Sequence, residues 1–272
     1  MTGTTTGPAG TDTRWVRPCA GHWRTGRGPV LLCLPHAGGG ALSYSGWERY
    51  PLGGYEPVAV RLPGREDRFE EAPVRDWPTL VTAIADALGD LANRPMAVFG
   101  HSMGALTAYE LVRELLRRGG VPPVLLAVSA HLPPQRMPGT TRPPRTTAEL
   151  LDYVRKLNDE DLDGLLEDQE WRELLLRPLG GDLALHDSYR HRPADRLPTP
   201  IAVFGADDDP STADDALAGW AELTSAECAR TSYPGGHFYL RTQRDRLLAD
   251  LDRHLARALR GHRTTVAEGG IR

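Results

Sequence analysis

Cysteine and lysine are both scarce in this chain of 272 residues. The three cysteines, Cys19, Cys33 and Cys228, are odd in number and widely spaced, which fits neither a disulfide framework nor a C-x-x-C metal or redox motif. The single lysine, Lys156, follows an arginine, so the phosphate loop G-x-x-x-x-G-K-[ST] occurs nowhere in the chain. We therefore expect free thiols and no nucleotide hydrolysis of the P-loop type.

Long apolar runs and a strong excess of one charge are absent as well. No stretch of about 18 apolar residues occurs, and the first ten residues are polar and uncharged, which predicts neither a membrane span nor a signal peptide. The formal net charge is −4, so nothing indicates a nucleic acid or an anionic membrane as a partner. We expect a cytoplasmic, monomeric protein that needs no cofactor and no metal.

Short continuous apolar runs alternate with segments of helical period over most of the chain. The runs lie at residues 30–34, 57–60, 96–99, 124–129 and 201–204, and the helical segments at 77–91, 103–118, 212–223 and 241–259. Such alternation predicts a mostly parallel sheet whose two faces are covered by helices. We predict one α/β domain over residues 14–262.

Three stretches depart from that alternation. Residues 1–13 and 263–272 are polar and have little to bury, so we expect a disordered lead and a disordered tail. Residues 131–192 begin with a proline-rich stretch and continue as an amphipathic helical segment. A segment of that length is too long for a plain loop between two strands. We predict that it is a helical lid inserted into the domain.

The strongest local signal is the run Gly100, His101, Ser102, Met103, Gly104, which reads G-x-S-x-G. It stands directly after a strand segment and directly before a helical one, and that context separates it from a chance match. A tight strand-to-helix turn strains the serine, and the glycines let neighbouring backbone approach closely. Ser102 is therefore a candidate nucleophile, and the N–H of Met103 at the helix N-terminus is a candidate oxyanion donor.

A serine nucleophile needs an adjacent base, and the base needs an orienting carboxylate. Among nine histidines, His237 follows a glycine-rich turn after a strand segment at 228–232, a turn that can aim an imidazole across the top of a sheet. A surface histidine is the alternative interpretation. The acid should follow the strand at 201–204, where Asp207, Asp208 and Asp209 stand in a row. Spacing alone leaves the choice among these three open.

A second oxyanion donor should come from the loop at residues 35–40, which follows the first core strand and ends in three glycines. Glycine-rich turns after strands also bind dinucleotides. Here the pattern G-x-G-x-x-G would need glycine where Ser43 stands, and the second strand ends in Arg61 rather than in an acidic residue. The residues therefore favour an oxyanion loop over a dinucleotide site.

With these residues placed, the sequence resembles the type II thioesterases that accompany modular polyketide and nonribosomal peptide synthesis, within the α/β-hydrolase fold. The matching segments are LPHAGGG at 34–40, LPGRE at 62–66, FGHSMG at 99–104, FGADDDP at 204–210 and YPGGHFYL at 233–240. The resemblance implies that Ser102 is the nucleophile and His237 the base. It also implies that the backbone of Ala37 and Met103 forms the oxyanion hole.

The acid of this family usually stands just before the proline of a G-G-x-x-D-P stretch, which corresponds to Asp209. The present sequence has Ala206 where the second glycine is common. A shift of the loop by one residue would make Asp208 the partner of the histidine. We therefore predict Asp209 as the acid and keep Asp208 as the alternative.

The resemblance further implies a substrate and a partner. The substrate would be an acyl thioester on the phosphopantetheine arm of an acyl or peptidyl carrier protein, and hydrolysis would clear stalled or misprimed chains. The chain ends soon after its last helix, so we expect it to meet the carrier as a separate protein. A general carboxylesterase or lipase, an acyl transferase or cyclase, and a catalytically idle binding module are the alternatives.

Basic residues are concentrated near the predicted entrance of the lid. Because carrier proteins are typically acidic, a local excess of positive charge there would help docking. A solvated lid surface explains the same residues equally well. The residues are Arg136, Arg142, Arg145, Arg155 and Lys156, against Glu149 and Asp152.

Overall fold

A seven-stranded sheet forms the centre of the computed structural model, which describes residues 7–24, 27–137, 139, 142, 144–157, 167–212 and 214–269. The strands are β1 (Val16–Pro18), β2 (Val30–Leu34), β3 (Glu56–Val60), β4 (Met96–His101), β5 (Leu125–Ser129), β6 (Ile201–Ala206) and β7 (Cys228–Tyr233). Their order in the sheet is β1-β3-β2-β4-β5-β6-β7. Strand β1 is antiparallel to β3, and the other neighbouring pairs are parallel.

The predicted apolar runs are the strands of this sheet. Every residue of β2, β4 and β5 is buried, because these strands lie in the middle of the sheet with helices on both faces. Successive side chains point to opposite faces, so Val98 packs in one core cluster and Phe99 in the other. The edge strand β1 was not predicted, since three residues are too few to show a period.

Seven α-helices surround the sheet in the described part of the chain. They are α1 (Trp77–Ala87), α2 (Met103–Arg117), α3 (Thr147–Leu157), α4 (Gln169–Asp187), α5 (Asp214–Leu217), α6 (Tyr239–Thr242) and α7 (Arg244–Gly269). Helices α1 and α2 cover one face, and α7 covers the other together with short 3-10 helices after β2. Among the described residues, no helix has the length and apolar character needed to cross a membrane.

Two segments expected to be disordered have a defined backbone. Near the N-terminus, the N–H of Asp12 donates to the carbonyl of Ala87 at 2.9 Å, and the N–H of Asp90 donates to that of Ala9 at 2.9 Å. Backbone hydrogen bonds, which composition does not reveal, hold this part of the lead. Helix α7 continues to Gly269 and thus includes most of the expected tail. Residues 1–6 and 270–272 lie outside the described residues.

The predicted insertion lies between β5 and β6 and contains α3 and α4. The two helices pack against each other through a small apolar cluster of their own, separate from the two clusters on the sheet. Ala37, in the loop after β2, packs against that cluster. The insertion therefore rests on the loop that follows the first core strand, beside the carboxyl ends of the strands. The buried members of the cluster between α3 and α4 are Leu150, Val154, Leu176, Leu179 and Leu183.

Candidate active site

Ser102 occupies the sharp turn between β4 and α2. Its backbone has φ 55° and ψ −126°, a conformation that is strained for any residue other than glycine. A Cβ atom on Gly100 would overlap the carbonyl of Gly104, and a Cβ atom on Gly104 would overlap the carbonyl of Leu34. Both positions therefore require glycine, as the motif predicted, and the turn holds Ser102 at the carboxyl end of β4.

The structure brings three of the predicted site residues together. The Nε2 atom of His237 lies 2.9 Å from the Oγ of Ser102, and its Nδ1 atom lies 2.8 Å from the Oδ2 of Asp209. Because a carboxylate only accepts, Nδ1 donates to Asp209, which leaves Nε2 to accept the hydroxyl proton of Ser102. Ser102 follows β4, Asp209 follows β6 and His237 follows β7. The carboxyl ends of these strands meet at one edge of the sheet.

The carboxylate of Asp209 accepts three hydrogen bonds besides the one from His237. Its Oδ1 accepts from the backbone N–H of Ser211 at 2.8 Å and from the hydroxyl of Ser211 at 2.6 Å, and its Oδ2 accepts from the hydroxyl of Thr212 at 3.0 Å. Burial alone would raise the pKa of Asp209, but the hydrogen bonds from His237 and Ser211 outweigh burial and lower the pKa below its ordinary value. The group is therefore a carboxylate beside the imidazole.

The two other aspartates of the run point elsewhere. Asp207 accepts a hydrogen bond from the hydroxyl of Ser232. Asp208 is exposed, and its backbone N–H donates to the carbonyl of Gly235 at 3.1 Å. Of the three carboxylates that spacing left open, Asp209 is thus the one that contacts the imidazole, and the alternative acid Asp208 does not.

Of the two predicted oxyanion donors, Met103 follows Ser102 directly in the chain and Ala37 lies in the loop after β2. Met103 is the first residue of α2, where unpaired N–H groups and the helix dipole favour negative charge. Ala37 follows β2 and lines the same cleft as Ser102. In this loop Gly38 has φ +77°, a left-handed conformation that glycine adopts without strain.

The cleft above Ser102 spans about 570 Å³, part of it open to solvent. One wall comes from the sheet and its loops, including His36, His237 and Phe238. The other lining residues come from the insertion and are mostly apolar, as is usual for a cleft that binds a small molecule. These residues of the insertion are Tyr153, Val154, Leu157, Leu175 and Leu179.

Two histidines close to Ser102 and His237 were not identified from the sequence, of which His101 is buried and His36 is half-buried. The Nδ1 atom of His101 lies 2.8 Å from the hydroxyl of Ser129, which lies 2.7 Å from the hydroxyl of Tyr239. Burial lowers the pKa of His101 well below its usual value and that of His36 to about 3, so both rings are neutral at pH 7. His36 belongs to the motif LPHAGGG and His101 to the motif FGHSMG. Their positions in these motifs were the sequence signal that could have identified them.

The basic residues near the insertion are partly neutralised within the chain. Arg145 lies 2.6 Å from Asp187, and Lys156 lies 2.7 Å from Asp152. Arg136 lies 3.4 Å from Glu222, which is distant in sequence. The local excess of positive charge is therefore smaller than the sequence indicated.

Comparison with known proteins identifies the family of the chain. Residues 29–255 match the family model described as a thioesterase domain. The gramicidin S biosynthesis protein GrsT of Aneurinibacillus migulanus is 34% identical over 212 residues, which cover 77% of this chain and 82% of GrsT. Thioesterase PikA5 of Streptomyces venezuelae is 33% identical over 226 residues, which cover 83% of this chain and 80% of PikA5.

A solved structure agrees with these relatives. The type II thioesterase BorB from the borrelidin biosynthetic cluster superposes with a TM-score of 0.77 at 33% identity. The superposition covers 90% of this chain and 98% of BorB. The chain therefore belongs to the thioesterase domain family and has the α/β-hydrolase fold that its motifs predicted.

Proposed function

We propose that this protein is a type II thioesterase that hydrolyses acyl groups from the phosphopantetheine arm of acyl or peptidyl carrier proteins in polyketide or nonribosomal peptide biosynthesis. The observation that carries the proposal is the chain of hydrogen bonds from Ser102 through His237 to Asp209 beneath an apolar cleft. The likeness to GrsT, PikA5 and BorB supports the biosynthetic context. The proposed reaction uses no cofactor of this chain, since the phosphopantetheine belongs to the partner.

In the proposed acylation step, the Oγ of Ser102 attacks the thioester carbonyl while Nε2 of His237 accepts the hydroxyl proton. The negative oxygen that forms accepts hydrogen bonds from the backbone N–H groups of Ala37 and Met103. Each such donor contributes about 3 to 4 kcal/mol to the stability of the transition state in comparable enzymes. The carbon–sulfur bond then breaks, His237 returns the proton to the sulfur, and the acyl group stays on Ser102.

In the proposed deacylation step, His237 accepts a proton from water, and the resulting hydroxide attacks the acyl-serine. The carboxylic acid leaves, and Ser102 recovers its proton from His237. Asp209 stays ionised throughout, holds the ring in the required tautomer and stabilises the imidazolium. Because the pKa of a thiol is about 8.5, the leaving group needs less help from an acid than an amine would, which favours thioesters over amides.

The test is to load a carrier protein with acyl groups of several lengths, expose it to this protein and follow the loss of each acyl group by mass spectrometry. Simple oxygen esters of matched chain length serve as the comparison, and Ser102→Ala gives the background rate. We expect faster hydrolysis of the carrier thioester. Equal or faster hydrolysis of the simple esters would identify a general esterase, and an acyl product other than the free acid would identify a transferase or cyclase.

A further inference from the structure

A buried ion pair lies directly behind the oxyanion loop. Arg65, from the segment after β3, donates through Nη1 to the Oδ2 of Asp182 at 2.5 Å and through Nη2 to its Oδ1 at 2.8 Å. The side chains are 5% and 6% exposed. Arg65 belongs to the LPGRE motif, to which the proposed reaction gives no role, and Asp182 belongs to α4 of the insertion.

Both members of the pair also bind the backbone of the loop. The Oδ2 of Asp182 accepts from the N–H of Gly38 at 2.8 Å, and Nη1 of Arg65 donates to the carbonyl of Gly39 at 2.8 Å. Gly38 and Gly39 follow Ala37 directly in the chain. Glycines have the widest backbone freedom of any residue. Side-chain hydrogen bonds to the backbone of two consecutive glycines therefore restrict the loop, and with it the direction of the Ala37 N–H.

Helix α4 supplies a second contact with the same loop. A Cβ atom on Gly38 would lie 3.2 Å from the Cβ of Leu179. Leu179 and Asp182 are three residues apart and therefore lie on one face of α4. That face packs on the loop through an apolar side chain and binds it through a carboxylate.

We propose that Arg65 and Asp182 are positioning residues, which hold the loop after β2 in the conformation that aims the Ala37 N–H at the oxyanion. The inference rests on the proposed function, because it assigns Ala37 to the oxyanion hole. Burying two charges is unfavourable unless their geometry and remaining hydrogen bonds are nearly complete. An apolar pair would fix α4 to the core equally well, but it would not bind the N–H of Gly38 and the carbonyl of Gly39.

One consequence is that the acyl cleft and the oxyanion hole form together. Helix α4 lines the cleft through Leu175 and Leu179 and orders the loop through Asp182. A displacement of α4 that opens the cleft would also release Gly38. Catalytic competence therefore depends on the docking of the insertion, without any contact between Asp182 and the reacting atoms.

The test compares Asp182→Asn and Arg65→Lys with the parent enzyme on one acyl thioester. Asparagine places an NH₂ donor against either Arg65 or the N–H of Gly38, and lysine lacks the planar fork of arginine. We expect kcat to fall about 10-fold or more while KM stays within about twofold. The inhibition constant of a trifluoromethyl ketone, which forms an oxyanion on the serine, should rise by the same factor as kcat/KM falls.

Glu56→Gln is the matched control. Glu56 and Arg94 form another buried ion pair, with an N–O distance of 3.0 Å and side chains 4% and 6% exposed, at the opposite edge of the sheet. This variant should lower the Tm but leave kcat and the inhibition constant unchanged. Arg65→Lys keeps the positive charge and serves as the test on its own if Asp182→Asn does not fold.

The inference is overturned if Asp182→Asn and Arg65→Lys lower the Tm as Glu56→Gln does, while kcat and the inhibition constant stay within about twofold of the parent values. A parent enzyme that does not hydrolyse acyl thioesters would instead contradict the proposed function. The two failures are therefore distinguishable, because the second one is seen before any variant is made.

Discussion

The Nδ1 atom of His237 lies 2.8 Å from a carboxylate oxygen of Asp209, whereas the neighbouring Asp208 turns its side chain to solvent. The backbone of the loop after β6 explains the difference. The N–H of Asp207 donates to the carbonyl of Tyr233, and that of Asp208 donates to the carbonyl of Gly235. These bonds fix the loop against the segment that carries His237 and direct the third aspartate inward.

Replacement of Asp209 by asparagine should therefore reduce thioester hydrolysis severely. Without the carboxylate the imidazole loses its orientation and the stabilisation of its charged form, and the expected loss in kcat is about 10⁴-fold. Asp208→Asn is the matched control and should stay within about threefold of the parent. Steady-state kinetics on one acyl thioester measures both, and a large loss with Asp208→Asn alone would reverse the assignment.

The turn around Ser102 should not accept a methyl group. Gly104→Ala places a Cβ atom against the carbonyl of Leu34, and we expect a loss of about 3 kcal/mol or more in the free energy of unfolding. Gly261→Ala is the control, because the same atom meets nothing within 4 Å there and the position is helical. That change should raise the stability by about 0.5 to 1 kcal/mol. Urea unfolding followed by circular dichroism compares the two variants, and equal stabilities would contradict the steric argument.

Two histidines that the fold shields from water should make the protein less stable in mild acid. Burial lowers the pKa of both His36 and His131 to about 3, against about 6.5 in an unfolded chain. Between these values the unfolded chain binds a proton that the folded chain does not, so the stability is complete above about pH 6.5 and falls as the pH decreases toward 3. Each histidine contributes a slope of about 1.4 kcal/mol per pH unit.

The check is the free energy of unfolding measured by urea at several pH values between 5 and 6. His131→Asn should reduce the slope by the contribution of a single histidine, which is about 1.4 kcal/mol per pH unit. Identical slopes in His131→Asn and the parent would show that the ring of His131 is protonated in the folded protein.

The wall formed by the insertion should limit the length of the acyl chain. Val154→Phe adds volume to a buried position on α3 that lines the cleft. We expect kcat/KM for a long acyl thioester to fall about 10- to 100-fold, while the value for acetyl stays within about threefold. Val121→Phe, at a surface position 59% exposed, is the control. An equal loss for both substrates would place Val154 outside the acyl-binding part of the cleft.

The place of the site was predictable because its residues stand at the carboxyl ends of strands with visible apolar runs. Parallel strands bring those ends to one edge, so Ser102 and His237, 135 residues apart, meet there. The selection of Asp209 was not predictable from spacing, because backbone hydrogen bonds of the loop decide it. The family motif indicated the same residue.

Contacts made by the insertion were beyond sequence reasoning. Arg65 and Asp182 are 117 positions apart, and no periodicity links an arginine in a loop to an aspartate in an amphipathic helix. The same holds for His131 and His186, whose Nε2 atoms lie 2.9 Å apart. The defined backbone of residues 7–13 was not predictable from composition for a related reason, since backbone hydrogen bonds to distant residues help to hold it.

The proposed reaction requires that Ser102 carries the acyl group during hydrolysis. The most direct measurement is rapid-quench mass spectrometry of the protein after mixing with an acyl thioester, with Ser102→Ala measured in parallel. We expect a mass increase equal to the acyl group on the peptide that contains Ser102, and neither adduct nor turnover above background in the variant. Turnover by Ser102→Ala at the parental rate would exclude Ser102 as the nucleophile.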